Sequence, residues 1–236
     1  MGLSDANVCN PGDGISGNGS WTSNNGTVDQ ITTSANNPGG GVGKGFRHWV
    51  GDGTNNGGGG ISVSWPSTAE MWFRYYIRFQ AGFAWSGAIN MKTIRPNQGG
   101  ANGWYFGLHQ GFVGGVIGGS SIHHASVRWA DWMGGAVSDG NWHCLEVHSK
   151  LNSSPSTADG VFEFWLNGAR IYSDTAVTYP STSEGFAGSV IGGNHADPLN
   201  GQEMAVDFDD IAVSANGRIG CIGSTVFLTP KNLRVQ

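Results

Sequence analysis

Hydrophobic residues recur at every second position over much of this chain, and no long segment carries them at i, i+3, i+4 and i+7. The alternation is cleanest between Asp139 and Tyr172, where it predicts two strands joined by a polar turn of Asn, Ser, Pro and Gly. In the first strand Leu145, Val147 and Leu151 share one face, and Trp142, Cys144, Glu146, His148 and Lys150 share the other. In the second, Phe162, Phe164 and Leu166 oppose Glu163, Trp165 and Asn167. Glu70–Phe79 is the strongest single strand, with Phe73, Tyr75, Ile77 and Phe79 on one side and Trp72, Arg74, Tyr76 and Arg78 on the other.

Further strands are predicted at Ile61–Trp65, Ala88–Arg95, Gly103–Gln110, Val127–Trp132, Ser189–Gly193, Met204–Ser214 and Arg218–Ile222. Asn90 and Lys92 oppose Ile89 and Met91, while Tyr105 and His109 share a face. Residues 1–60 are rich in Gly, Asn, Ser and Thr and read as short edge strands between long loops, with loop tips at Pro38–Gly41 and Asn55–Gly60. About a dozen short strands without a helical interruption predict an all-β antiparallel sandwich or jelly roll. Residues 1–228 form one such domain, and 229–236 an exposed tail. No internal repeat points to a propeller or solenoid.

Composition narrows the class. The chain has 236 residues, of which 41 are Gly, 10 are Trp and only 12% are charged. Disorder at high Gly goes with few aromatics and high net charge, so these glycines are read as turns and bulges between strands. A net charge of −5 leaves no basic footprint for nucleic acid. No apolar run approaches the roughly 20 residues needed to span a bilayer as a helix. Low charge with abundant Gly, Ser, Thr and Asn resembles a secreted or cell-surface protein, although Met1–Asn10 has neither the basic start nor the apolar stretch of a signal peptide. Sequons at Asn18, Asn25 and Asn152 carry little weight where Asn and Ser are so common.

The polar faces hold the candidate chemistry. A solvated face of Thr, Ser, Lys and Glu rarely includes Trp, whereas a sugar-binding groove needs indoles beside ionisable groups. Arg74, Tyr76 and Arg78 lie on one strand, Glu146, His148 and Lys150 on a second and Glu163 on a third, and Lys92 and His109 are expected to join them. The set suits β-elimination on a uronate glycan. Arg74 and Arg78 would grip the carboxylate in bidentate fashion, His148 would take the C5 proton, and Tyr76 or Tyr105 would protonate the leaving oxygen. Hydrolysis by Glu146 and Glu163 ranks lower, because a Glu among Arg, Lys and His is more often an ion-pair partner. Trp72 and Trp165 would serve as stacking platforms with or without catalysis. His123, His124 and His195 read as loop residues.

Two smaller signals remain. Asp207 and Asp209 share a face in the run Asp207–Asp210, and a bulge near Asp210 would return Ile211 and Val213 to the core. Such carboxylates could hold a structural Ca²⁺, but no EF-hand spacing is present and no other cofactor is expected. Of the three cysteines, Cys9 and Cys221 lie near the two ends of the domain and are expected to be bridged, with three free thiols as the alternative. Cys144 is read as small hydrophobic filler rather than a nucleophile.

Four segments carry a family resemblance: residues 71–79 (MWFRYYIRF), 139–152 (DGNWHCLEVHSKLN), 159–168 (DGVFEFWLNG) and 206–220 (VDFDDIAVSANGRIG). Together they resemble the concanavalin A-like lectin/glucanase superfamily, in particular LamG-like and polysaccharide-lyase-like bacterial secreted domains. The resemblance implies two antiparallel sheets and a concave glycan-binding face. In the lyase branch it implies a charged groove, for which His148, Tyr76, Arg74, Arg78 and Lys92 are the matching positions. The E-x-D-x-x-E signature of the glucanases is absent, as are the R-[ST]-E-L-R and Q-[IV]-H motifs of one alginate-lyase family. The expected partner is therefore a polysaccharide, met by a lyase, by a non-catalytic lectin or by a structural subunit of an extracellular assembly.

Overall fold

The computed structural model describes residues 20–23, 29–50, 60–83, 90–97, 100–109, 112–117, 123–128, 139–192 and 204–223. Cys9, Trp132, His195, the sequons at Asn18 and Asn25 and the tail at 229–236 lie outside these residues. Two seven-stranded antiparallel sheets make a sandwich. Sheet I runs β1 (Ser20–Ser23), β4 (Ile61–Thr68), β13 (Phe186–Ile191), β6 (Asn90–Pro96), β7 (Trp104–His109), β8 (Phe112–Ile117) and β9 (His123–Arg128). Sheet II runs β12 (Ala169–Val177), β11 (Gly160–Leu166), β10 (His143–Lys150), β5 (Glu70–Phe79), β14 (Met204–Ser214), β3 (Gly45–Val50) and β2 (Asp29–Thr32).

Period-2 alternation decides which face of sheet II turns inward. Phe73, Tyr75, Ile77 and Phe79 of β5 meet Leu145 and Val147 of β10 and Phe162 and Phe164 of β11 in one buried cluster. Sheet I contributes Ile61, Val63, Ile94, Trp104, Phe186 and Ile191. Contacts cross between the sheets: Trp104 meets Phe162 edge-on with centroids 5.2 Å apart, and the buried Tyr75 hydroxyl hydrogen-bonds Thr93 Oγ1 at 2.8 Å. That bond satisfies a phenol that would otherwise be stranded in an apolar core.

The expected edge strands of the first 60 residues are present, as β1 and β2 close one edge of each sheet. A register shift lies between Asp209 and Ala212, where Asp210 has φ +48°, and Ile211 and Val213 return to the core side. Several elements differ from expectation. The strand predicted at 189–193 begins earlier, at Phe186, and runs to Ile191. His123 and His124 open β9 rather than lying in a loop. Arg218–Ile222 is not a strand. β8 and β12 are additional. β12 follows a two-residue turn at Asn167 (φ +48°) and Gly168 (φ +88°), the left-handed pair that a tight hairpin requires. Asn152 is buried, donates to the Ser154 carbonyl and accepts from the Tyr179 N–H, so its sequon belongs to the framework.

Candidate functional site

Register brings the polar residues of sheet II into rows across its outer face. Paired residues of antiparallel strands lie on the same face. One row is Trp72–His148–Glu163–Ser173, the next Arg74–Glu146–Trp165–Arg170, and a third Arg78–Asp207–Arg47–Gln30. The alternation therefore assigned Arg74, Tyr76, Arg78, Glu146, His148 and Glu163 to one face, as expected.

These groups mostly satisfy one another. His148 Nδ1 lies 3.0 Å from Glu163 Oε2 and its Nε2 lies 2.9 Å from Glu70 Oε1, with Lys150 Nζ 4.0 Å from the same Glu70 carboxylate. Glu163 also accepts from Arg170 and Ser173. Burial works against ionisation of Glu163, yet hydrogen bonds from Ser173 and His148 and the charges of His148 and Arg170 hold its carboxyl below the ordinary range. Arg78 and Arg47 both grip Asp207, which is 2% exposed. Asp207 is thus a doubly paired structural carboxylate. Asp209 accepts from the N–H groups of Asn37 and Asp210, and burial, with Asp210 and Asp207 nearby, raises its pKa to about 6. Among the described residues no group of three or more His, Cys, Asp or Glu side chains could hold a metal ion.

The segment after β14 folds back over the middle of this face. The Glu146 carboxylate, 1% exposed, accepts from the N–H groups of Ile219 and Gly220 and from Arg218 Nε. Arg74 donates to the carbonyls of Asp210 and Gly220, and the Tyr76 hydroxyl accepts from Ile222 N–H. Burial pushes the Tyr76 phenol above its usual range. Cys221 is bonded to Cys144, with Cα atoms 5.9 Å apart. The Cys9–Cys221 bridge is therefore corrected. Cys221 is carried back across the sheet to β10 instead of remaining beside the N-terminal strands.

Several expected roles change as a result. Trp165 is 8% exposed with the Arg218 guanidinium 4.8 Å from its ring, so it is covered rather than open for stacking. Trp72 stacks on His148. His148 and Tyr76 do not face each other, since His148 pairs with Trp72 and Tyr76 with Cys144. Nothing in the alternation signalled Arg218 or the strap, whose effect comes from tertiary folding.

Lys92, Tyr105 and His109 lie on the other side of the sandwich. Ile94 and Trp104 turn to the core, and the backbone alternation of β7 sets positions 105, 107 and 109 on the face opposite Trp104. A register shift between Lys92 and Ile94 leaves Lys92 paired with Gly107. The outer face of sheet I then carries three rows. Asn90–His109–Phe112–Arg128 comes first, Lys92–Gly107–Gly114–Ser126 is central, and Tyr105–Val116–His124 follows. With the two outer faces separated by a sandwich whose sheets stand about 10 Å apart, Lys92 cannot join Arg74, Arg78 and His148 in one site. Asn90, His124 and Arg128 join this group through strand pairing. The polar alternation His124, Ser126, Arg128 was the available signal.

No family model matches the chain, and no characterised protein matches it in sequence. Solved structures do match in fold. An endo-β-1,4-glucuronan lyase from the fungus Trichoderma reesei superposes with a TM-score of 0.57 at 14% identity, covering 79% of this chain and 86% of that one. The alginate lyase Aly36B, solved with an alginate trisaccharide, gives 0.56 at 14% identity over 82% and 87%. The cellulose-induced protein Cip1 gives 0.53 at 19% identity over 90% of each chain. The fold is a jelly-roll β-sandwich. The same jelly roll recurs in a botulinum neurotoxin type C structure described by its interaction with two gangliosides, at TM-score 0.55 and 15% identity, where the match covers 84% of this chain and 43% of the toxin chain.

Proposed function

We propose that this chain depolymerises a uronate-containing polysaccharide by β-elimination on the outer face of sheet I, in an extracellular setting. The observation that carries the reading is the register that sets Asn90, Lys92, Tyr105, His109 and Arg128 on one face, with Gly107 and Gly114 in the central row. Glycines at those two positions leave a strip across two adjacent strands, β7 and β8, without side chains, which lets a flat polymer approach the backbone. The fold shared with glucuronan and alginate lyases supports the same reading.

Lys92, in the central row, supplies the cation that neutralises the sugar carboxylate and makes the C5 proton acidic. Tyr105 and His109 stand about 7 Å along the strand on either side of that row. His109 takes the C5 proton, the electron pair forms the C4=C5 double bond, the C4–O bond breaks, and the Tyr105 hydroxyl protonates the departing oxygen. No water is consumed, and the new chain end is an unsaturated uronate that absorbs in the ultraviolet.

The test is ultraviolet absorbance on glucuronan, alginate and pectate, with the wild type beside Lys92→Ala, His109→Ala and Tyr105→Phe. A rising signal that each substitution reduces at least a hundredfold is expected, because the removal of a positioned acid or base costs about that much. A flat trace for the wild type on every polymer, with binding retained, would replace the lyase with a carbohydrate-binding module on this jelly roll.

A further inference from the structure

The outer face of sheet II holds one cluster that the buried lattice does not use up. Arg47 of β3 and Arg78 of β5 flank Asp207 of β14 in a single register row. Asp207 accepts from Arg47 through Nε at 2.6 Å and Nη2 at 3.0 Å, and from Arg78 through Nε at 3.0 Å and Nη2. The one carboxylate is shared by two guanidiniums, so neither fork is fully used by it. The Ser34 carbonyl takes a further bond from each Nη2. Among the described residues the two Nη1 groups take no partner. The side chains keep 18% and 24% of their surface open, so their free donors reach solvent.

Each guanidinium lies against an indole. Arg47 is 5.3 Å from the Trp49 ring and Arg78 is 4.7 Å from the Trp142 ring, and both tryptophans are partly exposed. Trp142 Nε1 is buried without a hydrogen-bond partner. Stacking on indole holds a guanidinium flat and orients its free edge, while the shared Asp207 fixes both forks. Guanidinium forks match carboxylate and sulfate, and indole surfaces match the apolar faces of pyranose rings. The Tyr76, Glu146 and Trp165 region of the same face lies under the strap from Arg218 to Ile222, whereas this row is the next one along β5, toward its Phe79 end.

We propose that Arg47, Arg78, Trp49 and Trp142 form a second saccharide site, on the side of the sandwich opposite Lys92, which holds an acidic sugar unit by its carboxylate. The ligand class rests on the reading of this chain as a polysaccharide-active protein, and the place rests on the geometry alone. Such a site would tether the polymer while another stretch of it is processed, raising the effective concentration of substrate at the first face.

The experiment is calorimetric titration with a glucuronate hexasaccharide in a Lys92→Ala background, which removes turnover and weakens the first face. Residual binding is expected. Arg47→Gln and Trp49→Ala should each weaken it about tenfold, the loss of one charge-assisted or stacking contact. Arg47→Gln leaves Asp207 paired with Arg78, and Trp49→Ala leaves the whole ion triad in place, so at least one variant keeps the fold intact, as a thermal melt will show. In the otherwise wild-type chain both substitutions should leave the ultraviolet signal on short oligosaccharides unchanged. Absence of residual binding, or binding unaffected by both substitutions, overturns the proposal. So does equal binding of the carboxyl-reduced hexasaccharide, or displacement by inorganic sulfate at matching concentration. A flat ultraviolet trace for the wild type would overturn the lyase reading while leaving these titrations fully interpretable.

Discussion

His148 lies flat against Trp72, with ring centroids 4.1 Å apart and planes 6° from parallel, and reaches a carboxylate through each nitrogen. Each ring nitrogen thus has a carboxylate partner, which fixes the ring in place over an indole face. A histidine held in this way is a framework group rather than a proton carrier. His148→Ala should lower unfolding free energy by about 2–3 kcal/mol by leaving Glu163 and Glu70 less well paired. Turnover should be unaffected, in contrast to Lys92→Ala. Urea unfolding with the absorbance assay on the same preparations checks both. A hundredfold fall in turnover with unchanged stability would return the active site to sheet II.

Glu163 makes the fold acid-sensitive. Its carboxyl is held below its ordinary value of 4.5, so its contribution is complete above that value and is lost as pH falls through the lower, folded pKa. Glu163→Gln should therefore flatten the acid limb of the stability profile below about pH 4.5. Urea midpoints measured across that range decide it, and an equally steep limb in the variant would contradict the ion-pair account.

Asp209 acts with the opposite sign. Its pKa is raised from 3.8 to about 6, so the folded state binds this proton more tightly than the unfolded one. Stability from this group should fall as pH rises between those two values, and Asp209→Asn should remove that slope. The amide loses one acceptor for the N–H groups of Asn37 and Asp210, which lowers stability by a constant amount at every pH. The measured quantity is consequently the slope between the two values, and an unchanged slope would rule out the assignment.

The bond between Cys144 and Cys221 closes 77 residues of sequence separation and pins the strap over Glu146 and Tyr76. Cys221→Ser should cost about 2–4 kcal/mol, mainly by releasing the unfolded chain. Digestion without reductant should yield one cross-linked peptide pair containing these two residues. A pair containing Cys9 instead would overturn the covalent link between the strap and β10.

Much of the fold was legible in the residue pattern. β5 and β14 match their predicted bounds, Glu70–Phe79 and Met204–Ser214, because alternating apolar residues specify both a strand and its inward face. The bulge at Asp210 was legible too, since Ile211 and Val213 change phase after Asp209. β12 was missed although Asn167-Gly168 is a strong hairpin signal. The candidate site was legible only in its parts. Period 2 sorts the residues of one strand into two faces but does not say which sheet the strand joins. For that reason Lys92, Tyr105 and His109 could not be told apart from the group around His148.

The sequence alone determined an all-β sandwich and, strand by strand, which side chains meet the core, since burial of every second residue is written into local alternation. Tertiary structure decided what depends on strand order and on segments that cross a face. It sent Lys92 and His148 to opposite sides, because β6 pairs in sheet I while β10 pairs in sheet II. It also placed Cys221 beside Cys144, because the chain after β14 crosses the sheet to satisfy Glu146, Arg74 and Tyr76 with its own backbone. Those pairings join residues far apart in the chain, and no local pattern of polar and apolar residues encodes them.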